Sequence, residues 1–307
     1  MSIGYGPIAK PTGEGGGGFV GATSRQDRVK GRLFQGVLIF SLLIGFVTLI
    51  VLLVDVAGDG VGKLSWDFVT SFPSSLPARA GIQSPIVGTI YLMILVALIT
   101  VPVGVGAALY LEEYADQTRW YNRAIELNIQ NLAAVPSIVY GILGLAFLVR
   151  GLGLGRVLLA GALTLSLLVL PIVIIAAREA IRSVPPSIRE GALALGATRW
   201  QTIWRQVLPA SVPGIATGVI LALSRAIGET APLIVVGAAT FIAFNPSGLD
   251  SQFTALPIQI FDWISRPSND INNYKPLAAG GILVLMILLM AMNSIAIWLR
   301  NRYEQRW

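Results

Sequence analysis

The sequence predicts an all-α integral membrane protein with six transmembrane helices, and three observations carry that expectation. Hydrophobic residues fill 54% of the 307 positions and charged residues only 12%, where a soluble domain holds about 25% charged. The mean hydropathy of +0.72 describes more apolar surface than a water-soluble fold can hide. Six apolar stretches are long enough to cross the ~30 Å of hydrocarbon that about 20 helical residues span. Helix is required in them because lipid offers the backbone no hydrogen-bond partner, and the alternation of a barrel strand is absent.

In chain order the stretches are 33–56, 85–111, about 124–149, 157–177, about 212–242 and 277–299, so the spanning unit covers 33–300. The glycines of GLGLG and Arg156 make a tight turn into the fourth span. Pro102, Pro136, Pro171 and Pro232 fall inside spans and are expected to kink them. Ser137, next to Pro136, either faces a solute path or simply belongs to the kink, and the kink is the expectation. Residues 1–32 hold Gly, Pro and charges without an apolar core, so a flexible tail is expected. They lack the apolar segment of a cleavable signal peptide. GEGGGG at 13–18 has no Lys-Ser/Thr after it and is no phosphate loop. Residues 301–307 are expected as a second short tail.

Lys and Arg set the orientation. Fifteen of the 22 fall on the side of the N-terminus, six on the other, and Arg225 lies within a span. The excess places both termini in the cytoplasm, and it gives the net charge of +6 a cause other than nucleic-acid binding. Loops 57–84 and 243–276 then face outward, and their aromatics (Trp66, Phe68, Phe72, Trp263) either meet an extracytoplasmic partner or sit at the membrane interface. Cysteine and histidine are both missing, which removes disulfides, zinc hydrolysis and Ser-His chemistry. An aspartyl intramembrane hydrolase would need facing aspartates, and Asp55 and Asp59 sit together at one end of the first span.

The loop between spans four and five, about 185–209, is patterned. After Pro185-Pro186, Ser187 is placed to cap a short helix with Glu190 as its capping-box partner. Ile188, Ala192, Leu195 and Ile203 recur at near-helical spacing, which also suits a hairpin lying on the membrane on Trp200 and Trp204. A second short helix, 200–207, is expected to stop at Pro209, with Gly196 as a left-handed turn between the two. The whole string resembles the cytoplasmic EAA loop of ABC-importer permeases, E-A-A, three residues, G, nine residues, I-x-L-P. Glu190, Ala192, Gly196, Leu208 and Pro209 fit that pattern, while Gly191 and Gln206 depart from it.

The resemblance implies the ABC-importer permease fold, with a coupling helix between the fourth and fifth spans that sits in a cleft of a separate ATPase. Glu190, Gly191, Ala192 and Gly196 would then serve ATPase coupling, Glu190 as an interface anchor and the small residues as close-approach points. The chain holds no Walker motif, so it is not an enzyme itself; ATP and Mg would be bound by the partner ATPase subunits and no cofactor by this chain.

ALSRAIGETAPL (222–233) puts Arg225 and Glu229 near the middle of the fifth span, four residues apart and so on one helix face. An arginine at that depth costs about 3 kcal/mol on insertion scales. Three roles suit the pair: a structural lock, a proton relay, or an anion path in which Glu229 holds Arg225 for an oxyanion. A relay would recruit further Asp, Glu or His, which the other spans are expected to lack. The segment resembles phosphate ABC-transporter permeases, of the PstA type more than the PstC type, as do YLEEYA (110–115), AVPSIVYG (134–141), VPPSIREGALALGATRW and LPIQIFDWISRP (256–267).

That resemblance implies a phosphate path at Arg225 and Glu229. Thr230, beside them, is a candidate donor that could equally bond its own backbone. It further implies a PstC-type permease partner, two ATPase subunits, an extracytoplasmic phosphate-binding protein and a multi-pass location in the cell membrane. A permease for molybdate or sulfate is the alternative within this class. An ion channel or gradient-driven transporter is the alternative outside it, and such a protein has no use for an EAA-like loop.

Overall fold

The computed structural model describes residues 25–116, 118–238, 241–267 and 273–303; of the tails expected at 1–32 and 301–307, residues 1–24 and 304–307 lie outside the described residues, and 301–303 continue the last helix. The chain divides into two units, Met1–Val54 and Asp55–Trp307. In the first, helix α1 (Arg25–Gly60, which runs on into the second unit) begins before the expected position 33, so part of the expected tail is helical. Its residues from Leu33 to Val54 are apolar on almost every face and exposed, the composition that lipid demands of a spanning helix.

The second unit is all helix among the described residues. Short helix α2 (Trp66–Thr70) precedes α3 (Gln83–Leu109), which widens at its end into a π-turn at Tyr110–Tyr114, where the Ala115 N–H donates to the Tyr110 carbonyl at 2.9 Å. Next come α4 (Trp120–Ala133), α5 (Ser137–Leu143, prolonged by wide turns to Gly151) and α6 (Leu158–Arg182). After α7 (Pro186–Ala194) and α8 (Arg199–Thr202), a second π-turn at Ile203–Val207 leads into α9 (Leu208–Ile227). The last elements are α10 (Ala231–Val236), α11 (Leu256–Ser265) and α12 (Lys275–Tyr303). Among the described residues, five helices are long and apolar enough to cross a membrane, six when α4 and α5 count as one bent span.

Helix α6 is the centre. It packs against α3 on one side and α9 on the other, around Val96, Leu165, Val169, Val173, Ala222 and Ala226. Small residues set the close approach: Gly104 faces Val173, Gly218 faces Ala176 and Gly214 faces Ala180. The last two contacts give an antiparallel register that levels Arg225 with Val169, midway along α6.

Several expectations change. The third span is no kinked rod: α4 and α5 meet at 106°. Pro136 lacks an N–H and disfavours helix at Val135, so the Leu132 carbonyl loses its usual donor four residues on; it accepts instead from the Val135 N–H at 3.2 Å and the Tyr140 hydroxyl at 2.8 Å, which fastens the bend. Glu126, inside the span as expected from sequence, lies on α4 and pairs with Arg178 at 3.0 Å, so the other spans are not free of carboxylates.

The fifth span is not one helix over 212–242. It starts at Arg199, passes through Pro209, and breaks at 228–230. Pro209 does not stop it, because the π-turn just before shifts the hydrogen-bond pattern where the proline supplies no donor. Ser187 caps nothing: Pro185 occupies the N-cap of α7. The capping box forms at α8, where Thr198 and Gln201 exchange side-chain and backbone bonds.

The loop aromatics divide. Phe68 and Trp263 are buried and stacked at 6.2 Å, while Trp66 and Phe72 are exposed. Burial of Phe68 and Trp263 with Leu277 and Tyr274 makes a small second core at the end of the molecule opposite α7.

Candidate functional site

Arg225 stands in the last turn of α9, and Gly228, Glu229 and Thr230 form the break before α10. The helix ends there because the Gly228 and Glu229 N–H groups fall back on the Arg225 and Ala226 carbonyls at 3.2 Å each. Two features stabilise the guanidinium at this depth. Carbonyl ends of a helix favour a cation in the last turn, and the Glu229 carboxylate lies 3.4 Å from Arg225 Nε.

That contact is long for a hydrogen bond, and it occupies one edge of the guanidinium. Among the described residues the two Nη groups donate to no partner. The Arg225 side chain is 50% exposed and that of Glu229 only 16%. The pair is therefore asymmetric: a carboxylate held in protein behind a cation that faces outward with its fork of donors free. Such a fork suits a tetrahedral oxyanion, which accepts two parallel bonds.

Beside the pair, the Ser224 hydroxyl donates to Asn293 Oδ1 of α12 at 2.8 Å and fixes the end of α9 against that helix. Sequence reasoning missed this contact, since its partners are separated by most of two helices. Thr230 turns its hydroxyl toward the Gly228 carbonyl at 3.4 Å, a local backbone contact.

The second candidate region lies past the C-terminal end of α6. Glu190 and Gly191 are exposed on α7, Ala192 is half-buried, and the space around Gly191 is open. Gly196 has φ +84°, the left-handed turn that the spacing predicts, and it hands the chain from α7 to α8. Leu195 departs from expectation: it belongs to the near-helical series with Ile188 and Ile203, yet it is 90% exposed while Ile203 is 2% exposed. Trp200 and Trp204 pack on each other at 5.3 Å and remain exposed. Glu190, Gly191, Leu195 and the two tryptophans thus offer an uncovered surface of short helices.

Sequence reasoning also missed what holds that surface. Arg189 of α7 donates to Glu113 at 2.8 Å, while Glu112 takes Arg182 at 3.1 Å and Arg178 at 3.4 Å. All three pairs join residues far apart in the chain, so none leaves a local sequence signal.

Comparison with known proteins gives the family. Residues 100–307 match the family model described as binding-protein-dependent transport system inner membrane component. The protein YqgI of Bacillus subtilis (strain 168), described as a probable ABC transporter permease protein, is 33% identical over 85% of this chain and 90% of its own. The phosphate transport system permease protein PstA of Mycobacterium leprae (strain TN) is 32% identical over 88% of each chain. Among solved structures, a chain of a bacterial alginate ABC transporter in complex with an alginate pentasaccharide-bound periplasmic protein superposes with a TM-score of 0.63 at 19% identity. That match covers 90% of this chain and 96% of the other, a likeness of fold.

Proposed function

The chain belongs to the binding-protein-dependent transport system inner membrane component family, and from that premise we propose that it is the PstA-type permease subunit of an ATP-driven phosphate importer. A PstC-type chain completes the path, two ATPase subunits bind ATP and Mg, and an extracytoplasmic binding protein delivers the anion. Both termini face the cytoplasm in this reading, as the Lys and Arg distribution requires. The chain itself hydrolyses nothing and binds no cofactor.

The observation that carries the proposal is the Arg225 guanidinium, half exposed midway along α6, with Glu229 behind it at 3.4 Å. A phosphate descending between subunits meets a cation whose desolvation is already offset by its neighbour and by the end of α9. Glu229 keeps the site from becoming a trap, because a neutralised cation holds a divalent anion less tightly than a bare one. Glu190, Gly191, Ala192 and Gly196 form the surface on which the ATPase docks. PstA relatives 31–33% identical over most of this chain support the choice of phosphate.

The experiment is uptake of labelled phosphate, sulfate and molybdate by vesicles carrying the full assembly, with Arg225→Ala beside the parent. ATP-dependent phosphate uptake that Arg225→Ala abolishes, with the assembly intact, is the expected result. Sulfate or molybdate moving in place of phosphate overturns the cargo, and normal transport by Arg225→Ala overturns the path.

A further inference from the structure

Four arginines from three successive elements, α6, α7 and α8, converge on one short turn, Glu112-Glu113-Tyr114, at the end of α3. Arg178 and Arg182 of α6 hold the Glu112 carboxylate. Arg189 of α7 holds Glu113 through Nε at 3.0 Å and Nη2 at 2.8 Å. Arg199 of α8 donates to the Glu113 carbonyl and lies over the Tyr114 ring, 5.1 Å from its centroid.

Arg189 does more than pair. Its Nη1 donates to the Val184 carbonyl at 2.6 Å, just past the end of α6, and its Nη2 to the Ile181 carbonyl of the last turn at 2.9 Å, which also accepts the Val184 N–H. One planar guanidinium thus ties α7 to the end of α6 and the end of α3 together. The Glu113 side chain is only 9% exposed, so solvent hardly competes for it. The π-turn at Tyr110–Tyr114 lets Glu112 and Glu113, adjacent in sequence, meet different arginines.

We propose that the Glu113–Arg189 pair is the strut that makes α7, α8 and the adjoining ends of α3 and α6 move as one body, so that a displacement of α7 by a docked ATPase reaches the spans. Besides its chain links, residues 183–185 and the Gly196 turn, α7 is held by Ile188, which packs against the apolar cluster of Ile181, Val184 and Val207. An apolar contact of that kind can slide under a push on the exposed face, whereas a guanidinium fork bonded to two helix ends fixes direction. Glu113 and Arg189 are positioning residues: they touch neither solute nor nucleotide, and they act by transmitting motion. The inference rests on the permease reading.

The test uses the complete assembly in vesicles and measures phosphate taken up per ATP hydrolysed. Glu113→Gln and Arg189→Gln are expected to assemble and hydrolyse ATP while that ratio falls tenfold or more. Arg189→Lys, which keeps the charge but loses the planar fork, is expected to fall between them and the parent. Because the chain has no cysteine, Glu113→Cys with Arg189→Cys can be joined by a short bis-methanethiosulfonate linker, the parent treated alike as control. Linking is expected to restore at least half of the parent ratio, and a reductant to remove it again.

Parent-like ratios in the glutamine variants overturn the strut. So does a linked double-cysteine chain that stays uncoupled, or loss of assembly in every variant, which would make the pair a folding contact only. A parent assembly that moves no phosphate, sulfate or molybdate with ATP overturns the permease reading instead, so the two failures are distinguishable.

Discussion

The Glu229 carboxylate stands 3.4 Å from Arg225 Nε across the turn that ends α9, with the carboxylate inside the protein and the cation half exposed. A helix running unbroken through 228–230 would set both on one continuous face. The break instead lets the backbone at Gly228 carry Glu229 inward while the last turn of α9 keeps Arg225 at the surface.

Removing the carboxylate charge leaves the cation less well placed. Glu229→Gln is expected to lower phosphate uptake about tenfold, the equivalent of the ~1.5 kcal/mol that a charged hydrogen bond contributes at the low end of its range. Initial uptake rates over a phosphate concentration series check it. An unchanged rate would mean that Glu229 serves packing.

Gly191 and Gly196 respond oppositely to alanine. Gly196 has φ +84°, where a side chain costs about 1–2 kcal/mol. Gly191 is helical, with nothing within 4 Å of a Cβ placed there, so alanine favours its helix by about 0.5–1 kcal/mol. Hydrogen exchange at the amides of 187–196 is expected to speed up in Gly196→Ala and slow in Gly191→Ala. The same direction in both would contradict the left-handed turn.

The start of α8 depends on Thr198. Thr198→Ala removes the hydroxyl that accepts the Gln201 N–H and leaves only the backbone half of the capping box, the N–H of residue 198 to Gln201 Oε1, a loss of about 1 kcal/mol. Ser187→Ala is expected to change local exchange by a few tenths of that or less, since Ser187 makes no cap. Exchange at the amides of 188–190 and 199–202, compared between the two variants, decides.

Gly88 sits where α3 meets the chain leading into α11. A Cβ there would run into the Thr254 backbone carbonyl, while next to it the Thr89 hydroxyl receives the Leu256 N–H at 2.9 Å. Backbone cannot swing aside as a side chain does, so Gly88→Ala is expected to destabilise by about 1–3 kcal/mol. Gly106→Ala on the same helix, with open space around it, is expected to be tolerated. Thermal melting of the solubilised protein compares the two.

Local patterns were legible and distant ones were not. The apolar runs are read from a few consecutive turns, and so is the Arg225–Glu229 spacing, because both depend only on neighbours along one helix. The turn at Gly196 was legible because few residues besides glycine suit it. Pro209 misled for the same local reason: a proline reads as a stop unless a wider turn precedes it, and the π-turn at 203–207 carries no residue signature. Residue spacing points to Ser187 for the capping box that Thr198 makes, since both positions offer a hydroxyl and a suitable residue three places on.

By itself the sequence determined that the chain lives in a membrane, how many times it can cross, which residues pay for charge within a span, and which family it joins. Hydropathy and short spacing decide those matters, and lipid leaves the backbone no choice but helix. Tertiary structure alone decided that the third span folds back on itself at 106° and that the fifth opens at Gly228. It alone joined Glu113 to Arg189, 76 residues apart. Those features arise where separate helices meet, and the energy of such a meeting depends on which surfaces face each other, a relation no single stretch of chain contains.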